Sequence, residues 1–160
     1  MTKEYSTITT EILNLVNLWG QRLLGLSTEA LSSKRNEQNR TIKELVGHMV
    51  DSASNNQQRM VRLQYSKDLV FPDYAQDNDK WISIQNYQDA NWMSIVQLWR
   101  YYNMHIVQII ENVDKTKLEN SWIDFEGNLV TLDEMIVGYL KHLKLHIEEI
   151  KELLVGNKVN

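Results

Sequence analysis

Cysteine is absent from this chain of 160 residues, proline occurs once and glycine six times. Without cysteine there is no disulfide framework, no thiolate ligand and no cysteine nucleophile, so a bound metal must rest on imidazole or oxygen. So little proline and glycine leaves long stretches unpunctuated, which suits helices better than a many-turned β fold. No segment approaches the ~18 apolar residues of a membrane span. The opening Met1-Thr2-Lys3-Glu4-Tyr5-Ser6 has no apolar signal core, so a soluble, cytoplasmic protein is expected. An excess of positive charge is also lacking. The formal net charge of −4 and pI of about 5.6 give no reason to expect nucleic acid as a partner. The basic cluster Lys34, Arg35, Arg40 and Lys43 is broken by Asn36, Glu37, Gln38 and Asn39, and reads as a solvated loop rather than a phosphate site.

What is present is an ordinary globular mixture, 42% hydrophobic and 24% charged, which argues against disorder. The length suits one domain with a real core, and residues 1–160 are read as a single domain. Apolar residues recur at helical spacing in four segments. In the first, about Thr7 to Leu26, Ile8, Ile12, Leu15, Trp19, Leu23 and Leu26 form one stripe; a polar connection follows from Ser32 to Arg40. The second opens on a capping box, Thr41-Ile42-Lys43-Glu44, with a stripe of Ile42, Leu45, Met49, Ser52, Asn56, Met60 and Leu63. From Asp51 to Arg59 its only apolar residue is Ala53, which fits either a wet pocket or local exposure. A long connection, Gln64 to Ile82, carries Phe71, Pro72, Tyr74 and Trp81 and is expected to pack on the helices as a lid or crossover. The third segment is expected from Ile84 to Val113, with Trp92, Ile95, Trp99, Tyr102, Ile106, Ile109 and Val113 along its stripe. Trp122 to Val130 alternates around Gly127 and reads as a small hairpin. The fourth opens on Thr131-Leu132-Asp133-Glu134 and steps through Leu132, Ile136, Tyr139, Leu143, His146, Ile150 and Leu153. Four amphipathic helices of this length bury their stripes against one another as an all-α four-helix bundle.

Three of the four histidines look organised. His142 and His146, four apart on one helix, are about 40° apart around the axis and ~6 Å along it. Their rings lean the same way and can close on one ion. His146 stands on the stripe, where an unpaired imidazole costs about 1–3 kcal/mol, so something must satisfy it. A metal would do so, and so would the hydroxyl of Tyr139 or Tyr102. His48 is the natural third ligand, on the helix that turns polar just beyond it. Asp51, three residues on, shares its side and suits a carboxylate that orients His48 or acts as a base on water; the plain alternative is a solvated acid. His105, beside the third stripe, reads as a structural or surface residue.

Familiar sites are excluded by single positions. A zincin needs Glu at position 143, which is Leu143. A ferritin-like di-iron site needs Glu three residues before its histidines, and Leu45, Tyr102, Tyr139 and Leu143 stand there. Ser52 and His48 lack the orienting partner and oxyanion hole of a serine triad.

The run Thr41-Ile42-Lys43-Glu44-Leu45-Val46-Gly47-His48-Met49-Val50-Asp51-Ser52 resembles the second-helix signature of the DinB/YfiT-like superfamily. Thr131-Leu132-Asp133-Glu134 followed by His142 and His146 resembles its fourth helix, and the likeness extends over nearly the whole chain. The resemblance implies a four-helix bundle with a mirror variant of up-and-down connectivity, a long crossover between its second and third helices and a small hairpin before its fourth. It implies a divalent metal, zinc or nickel, held by His48, His142 and His146, and a homodimer. Some relatives transfer low-molecular-weight thiols or isomerise maleylpyruvate with a thiol's help, while many have no established activity.

Three imidazoles leave a coordination position open, the pattern of catalytic rather than structural zinc. The resemblance therefore implies a metal-dependent thiol S-transferase acting on an electrophilic substrate, with Asp51 as base or orienter. A non-catalytic metal- or ligand-binding bundle of the stress response, a metal-dependent hydrolase, and a metal-free helical core stay open beside it.

Overall fold

The computed structural model describes residues 3–69 and 76–155. Phe71, Pro72 and Tyr74 of the long connection lie outside the described residues. The elements run α1 (Lys3–Leu24), α2 (Thr28–Ser32), α3 (Ile42–Arg62), α4 (Asn78–Gln85), α5 (Trp92–Glu111), a 3-10 turn (Lys115–Lys117), β1 (Ser121–Ile123), β2 (Leu129–Thr131) and α6 (Leu132–Val155). The four long helices are α1, α3, α5 and α6. No described helix is long and apolar enough to cross a membrane.

Both capping boxes form. Thr41 Oγ1 accepts from the Glu44 amide and Glu44 Oε2 from the Thr41 amide; Thr131 and Glu134 do the same at the start of α6. These reciprocal bonds satisfy amide donors that a helix start would leave unpaired. Every residue of the α6 stripe from Leu132 to Leu153 is buried, His146 among them. The hairpin pairs Trp122 with Val130 in antiparallel register, and Gly127 supplies the positive φ of 87° that its turn needs.

The third long helix starts at Trp92 rather than near Ile84, and a separate short helix, α4, precedes it out of the expected connection. Gln85 is the last residue of α4, Asn86 caps it in the left-handed region at φ 48°, and α5 starts afresh after Asn91, whose side chain accepts from the Ser94 amide. Two asparagines five residues apart thus act as a stop and a start. A short helix, α2, also occupies part of the stretch between the first two long helices, with Ser27 as its N-cap.

Around the bundle the order is α1, α5, α3, α6, with α6 closing back on α1. Consecutive long helices α1 and α3, and likewise α5 and α6, stand diagonally opposed. The expected four-helix bundle thus forms with a variant connectivity in which these sequence neighbours are not adjacent. Trp92 ties the start of α5 to the end of α1 through a 2.9 Å bond from Nε1 to the Leu23 carbonyl. The consequence for function is that α3 lies directly against α6.

Candidate metal centre

The contact between α3 and α6 brings His48 onto the His142–His146 pair. Ring centroids lie 4.9 Å apart for His48 and His146, 6.1 Å for His48 and His142, and 4.4 Å for the helix pair. One ring nitrogen from each residue can be chosen so that all three lie within 4.8 Å of one another. Among the described residues no fourth His, Asp or Glu joins the group. His48 and His146 are buried and His142 is half-buried.

Glu149 decides the state of His146. Its Oε2 lies 2.6 Å from His146 Nδ1, and a carboxylate accepts, so Nδ1 carries the proton. That leaves Nε2 as the ring atom available to a metal, and it points at His142 Nε2 across 2.9 Å. The nitrogens of a tetrahedral centre with 2.0–2.1 Å bonds stand roughly 3.3 Å apart, so this spacing is close to what a shared ion requires. His142 Nδ1 faces the Ser52 hydroxyl at 3.4 Å. His48 Nδ1 is buried with no hydrogen-bond partner among the described residues. Burial, then the neighbouring histidines and Arg40, pushes His48 down to about 3; burial and His146 push His142 down to about 4. Both are therefore neutral at pH 7. Two neutral imidazoles beside a third whose Nδ1 faces Glu149 suit a divalent ion, so the three histidines can hold one.

Neither tyrosine takes the place of a metal at His146. Tyr139 donates to Asn103 Oδ1 at 2.8 Å, and Tyr102 to Ser54 Oγ at 3.4 Å. His105 is exposed on α5, away from the cluster.

Asp51 is buried, 3% exposed, and is not a solvated acid. Its Oδ1 accepts from Tyr87 at 2.7 Å and from Gln85 at 2.8 Å, while Oδ2 is buried without a hydrogen-bond partner among the described residues. Among the described residues no hydrogen bond joins it to His48. Burial raises the Asp51 carboxyl, and the two hydrogen bonds oppose that rise. Tyr87 lies so close to α3 that a Cβ at Gly47 would fall 2.2 Å from its ring, which is why the position next to His48 carries no side chain.

The polar half of α3 lines a cavity of about 620 Å³ that also takes in His48 and His142. Ser52, Asn55, Asn56 and Arg59 face it from α3, and Trp122 and Phe125 from the hairpin. Asn55 and Arg59 are only 7% and 9% exposed, so this stretch forms a pocket wall rather than an exposed turn. The basic cluster is not a free loop: Arg35 pairs with Glu44, Arg40 with Asp79, and Lys43 donates to the Ala90 carbonyl.

Glu149 was not read from the sequence. Its spacing, three residues after a core histidine on the same helix, was the available signal.

Residues 17–150 match the model of the DinB superfamily. No curated protein matches the chain. Among solved structures the chain is similar to YfiT from Bacillus subtilis, described as a probable metal-dependent hydrolase with an unusual four-helix bundle topology. The identity is 16%, over 96% of this chain and 87% of that one, with a TM-score of 0.84. It is also similar to a mycothiol-dependent maleylpyruvate isomerase at 13% identity and a TM-score of 0.69, over 94% of this chain but 63% of that protein. At these identities the two likenesses show the fold.

Proposed function

The chain belongs to the DinB superfamily, and on that premise we propose that it is a metal-dependent transferase using a low-molecular-weight thiol. In this reading His48, His142 and His146 hold one divalent ion, zinc or nickel, both of which suit imidazole ligands. The observation that supports it is the meeting of three imidazoles, two of them at the wall of a cavity, with no fourth His, Asp or Glu in the group among the described residues. An ion held there supplies Lewis acidity, which lowers the pKa of an incoming thiol so that thiolate is available at neutral pH.

The chain's own groups prepare that site. Burial keeps His48 and His142 unprotonated, and Glu149 holds the proton of His146 on Nδ1. The cavity beside them admits the thiol and an electrophilic co-substrate. A thiol nucleophile is favoured over water because water needs a base. Asp51 is turned to Tyr87 and Gln85 and does not line the cavity. Of the acids that do, Asp124 accepts hydrogen bonds within the hairpin turn with both oxygens, and Glu134 accepts from Thr131 at the α6 cap through Oε2. Metal-dependent hydrolysis is the second reading, favoured by Asp51 Oδ2, which has no hydrogen-bond partner among the described residues and lies one helical turn from His48; it makes Asp51 the base or the orienter of His48. A homodimer in the cytoplasm completes the proposal.

The test is to incubate zinc- or nickel-loaded protein with a thiol and an electrophile. Thiol-dependent consumption of the electrophile that is lost in His146→Ala is expected. Equal rates in wild type and variant would remove the claim, and turnover without thiol would move the assignment to hydrolysis.

A further inference from the structure

Among the described residues three glycines lie inside long helices: Gly20 in α1, Gly47 in α3 and Gly138 in α6. Glycine is unfavourable in a helix interior relative to alanine, so each position calls for a reason. At two of them the reason is a close neighbour. A Cβ at Gly20 would fall 2.5 Å from Arg100 Cδ, and one at Gly47 would fall 2.2 Å from the Tyr87 ring. Gly138 has no such neighbour: a Cβ there would have nothing within 4 Å. Nor does it have the positive φ that suits Gly127 to the hairpin turn. Packing therefore does not require glycine at position 138.

What the missing side chain leaves is room in the cavity. Gly138 lines it one helical turn before His142, about 40° around the axis and ~6 Å along it. The hairpin and α6 give that cavity an apolar lining, with Trp122, Phe125, Val130 and Met135. Trp122 and Met135 are buried, but Phe125 is 67% exposed, so an apolar group settling against it would take its ring out of water. From α3 the same cavity receives hydroxyl and amide groups instead, those of Ser52, Asn55 and Asn56. The two linings suit two unlike molecules: the polar one a polar thiol, the apolar one a bulky apolar group.

We propose that Gly138 is a specificity residue, and that the space it leaves seats an apolar group of the electrophilic substrate, the size of a phenyl ring, beside His142. This rests on the metal centre of the reading above and adds what selects among electrophiles.

The experiment is calorimetric binding of acetohydroxamic acid and phenylacetohydroxamic acid to the zinc-loaded full chain. Both carry one zinc-binding head and they differ only by a phenyl ring, so the ratio of their affinities in each protein reports the ring. In the wild type the phenyl form is expected to bind about tenfold more tightly, the value of burying much of a ring. Gly138→Leu should bring the ratio near one, and Gly138→Ala should lower it part of the way. Gly138→Ala should also raise the melting midpoint by about 2–4 °C, since alanine is the better helix former and would meet no neighbour. A ratio near one in the wild type, a ratio unchanged in Gly138→Leu, or a midpoint lowered in Gly138→Ala would overturn the inference and leave the metal centre intact. 2-Mercaptoethanol that fails to displace acetohydroxamic acid would overturn the thiol reading alone. Hydroxamates that do not bind the zinc-loaded wild type, or that bind His146→Ala equally well, would overturn the metal centre and the inference with it.

Discussion

His48 and Asp51 are three residues apart on α3 and both are buried, yet the polar groups around them follow different plans. Around Asp51, the hydroxyl of Tyr87 and the amide of Gln85 both donate to one carboxylate oxygen, and the Tyr87 ring is pressed onto Gly47. Those contacts close the α4–α5 corner onto the middle of α3. Around His48, the rings of His142 and His146 bring nitrogen lone pairs together, and the one strong partner, Glu149, stands behind His146 rather than between the rings. A fold that needed only to satisfy a buried histidine would give it a hydroxyl or a carbonyl. Tyr139 is close enough in sequence to serve, but its hydroxyl goes to Asn103. On this contrast the Asp51 cluster reads as scaffold, and the histidine cluster is the proposed site.

That contrast can be broken most severely at the histidines. His146→Ala is expected to reduce bound zinc or nickel from about one per chain to near zero. Elemental analysis reads this directly. A chelator should lower the melting midpoint of the wild type but not of the variant, since an ion bound only to the folded state stabilises it. Unchanged metal content would mean that the three rings are scaffold as well.

Acid provides the next largest effect, in the metal-free protein. The folded-state values of about 3 and 4 for His48 and His142 lie below the ordinary 6.5, so the unfolded chain takes up protons first as the pH falls. Their contribution is present above pH 6.5 and is lost as the pH drops toward the folded values. Between pH 7 and 5 the loss is up to about 2 kcal/mol for each histidine. Urea unfolding of chelated wild type beside a His48→Ala/His142→Ala variant isolates it, and parallel pH profiles would contradict it.

Two milder substitutions then test the two clusters against each other. Glu149→Gln should leave the fold intact and weaken metal binding by about ten- to hundredfold, because the orienting carboxylate is gone. Tyr87→Phe should do the reverse, costing about 1 kcal/mol of stability with the metal affinity unchanged. Competition with a chromophoric chelator and urea melts measure the pair. If Tyr87→Phe loosened the metal as much as Glu149→Gln, the two clusters would be one unit and Asp51 would belong to the site.

Several features were legible without coordinates because they are local. The capping boxes at Thr41 and Thr131, the stripe from Leu132 to Leu153 and the hairpin around Gly127 each depend on spacing within one element. The polar stretch from Asp51 to Arg59 signalled something unusual, though only the structure decides between exposure and a cavity wall. What escaped was of two kinds. The break between α4 and α5 depends on Asn86 entering the left-handed region, which apolar periodicity does not report. The partners of Asp51, Tyr87 and Gln85, come from the far side of a long connection, and no periodicity reports which side chain a loop will deliver.

The sequence by itself determined the helices, their buried faces and the pairing of His142 with His146, because 3.6 residues per turn settles which side chains share a side. Only the tertiary structure decided that α3 lies against α6 and diagonally from α1. Four apolar stripes of similar character can be arranged around one core in several orders, and the choice is made by side-chain packing between helices distant in sequence. That choice is what carries His48 to the other two histidines, at the wall of the cavity that the polar half of α3 lines.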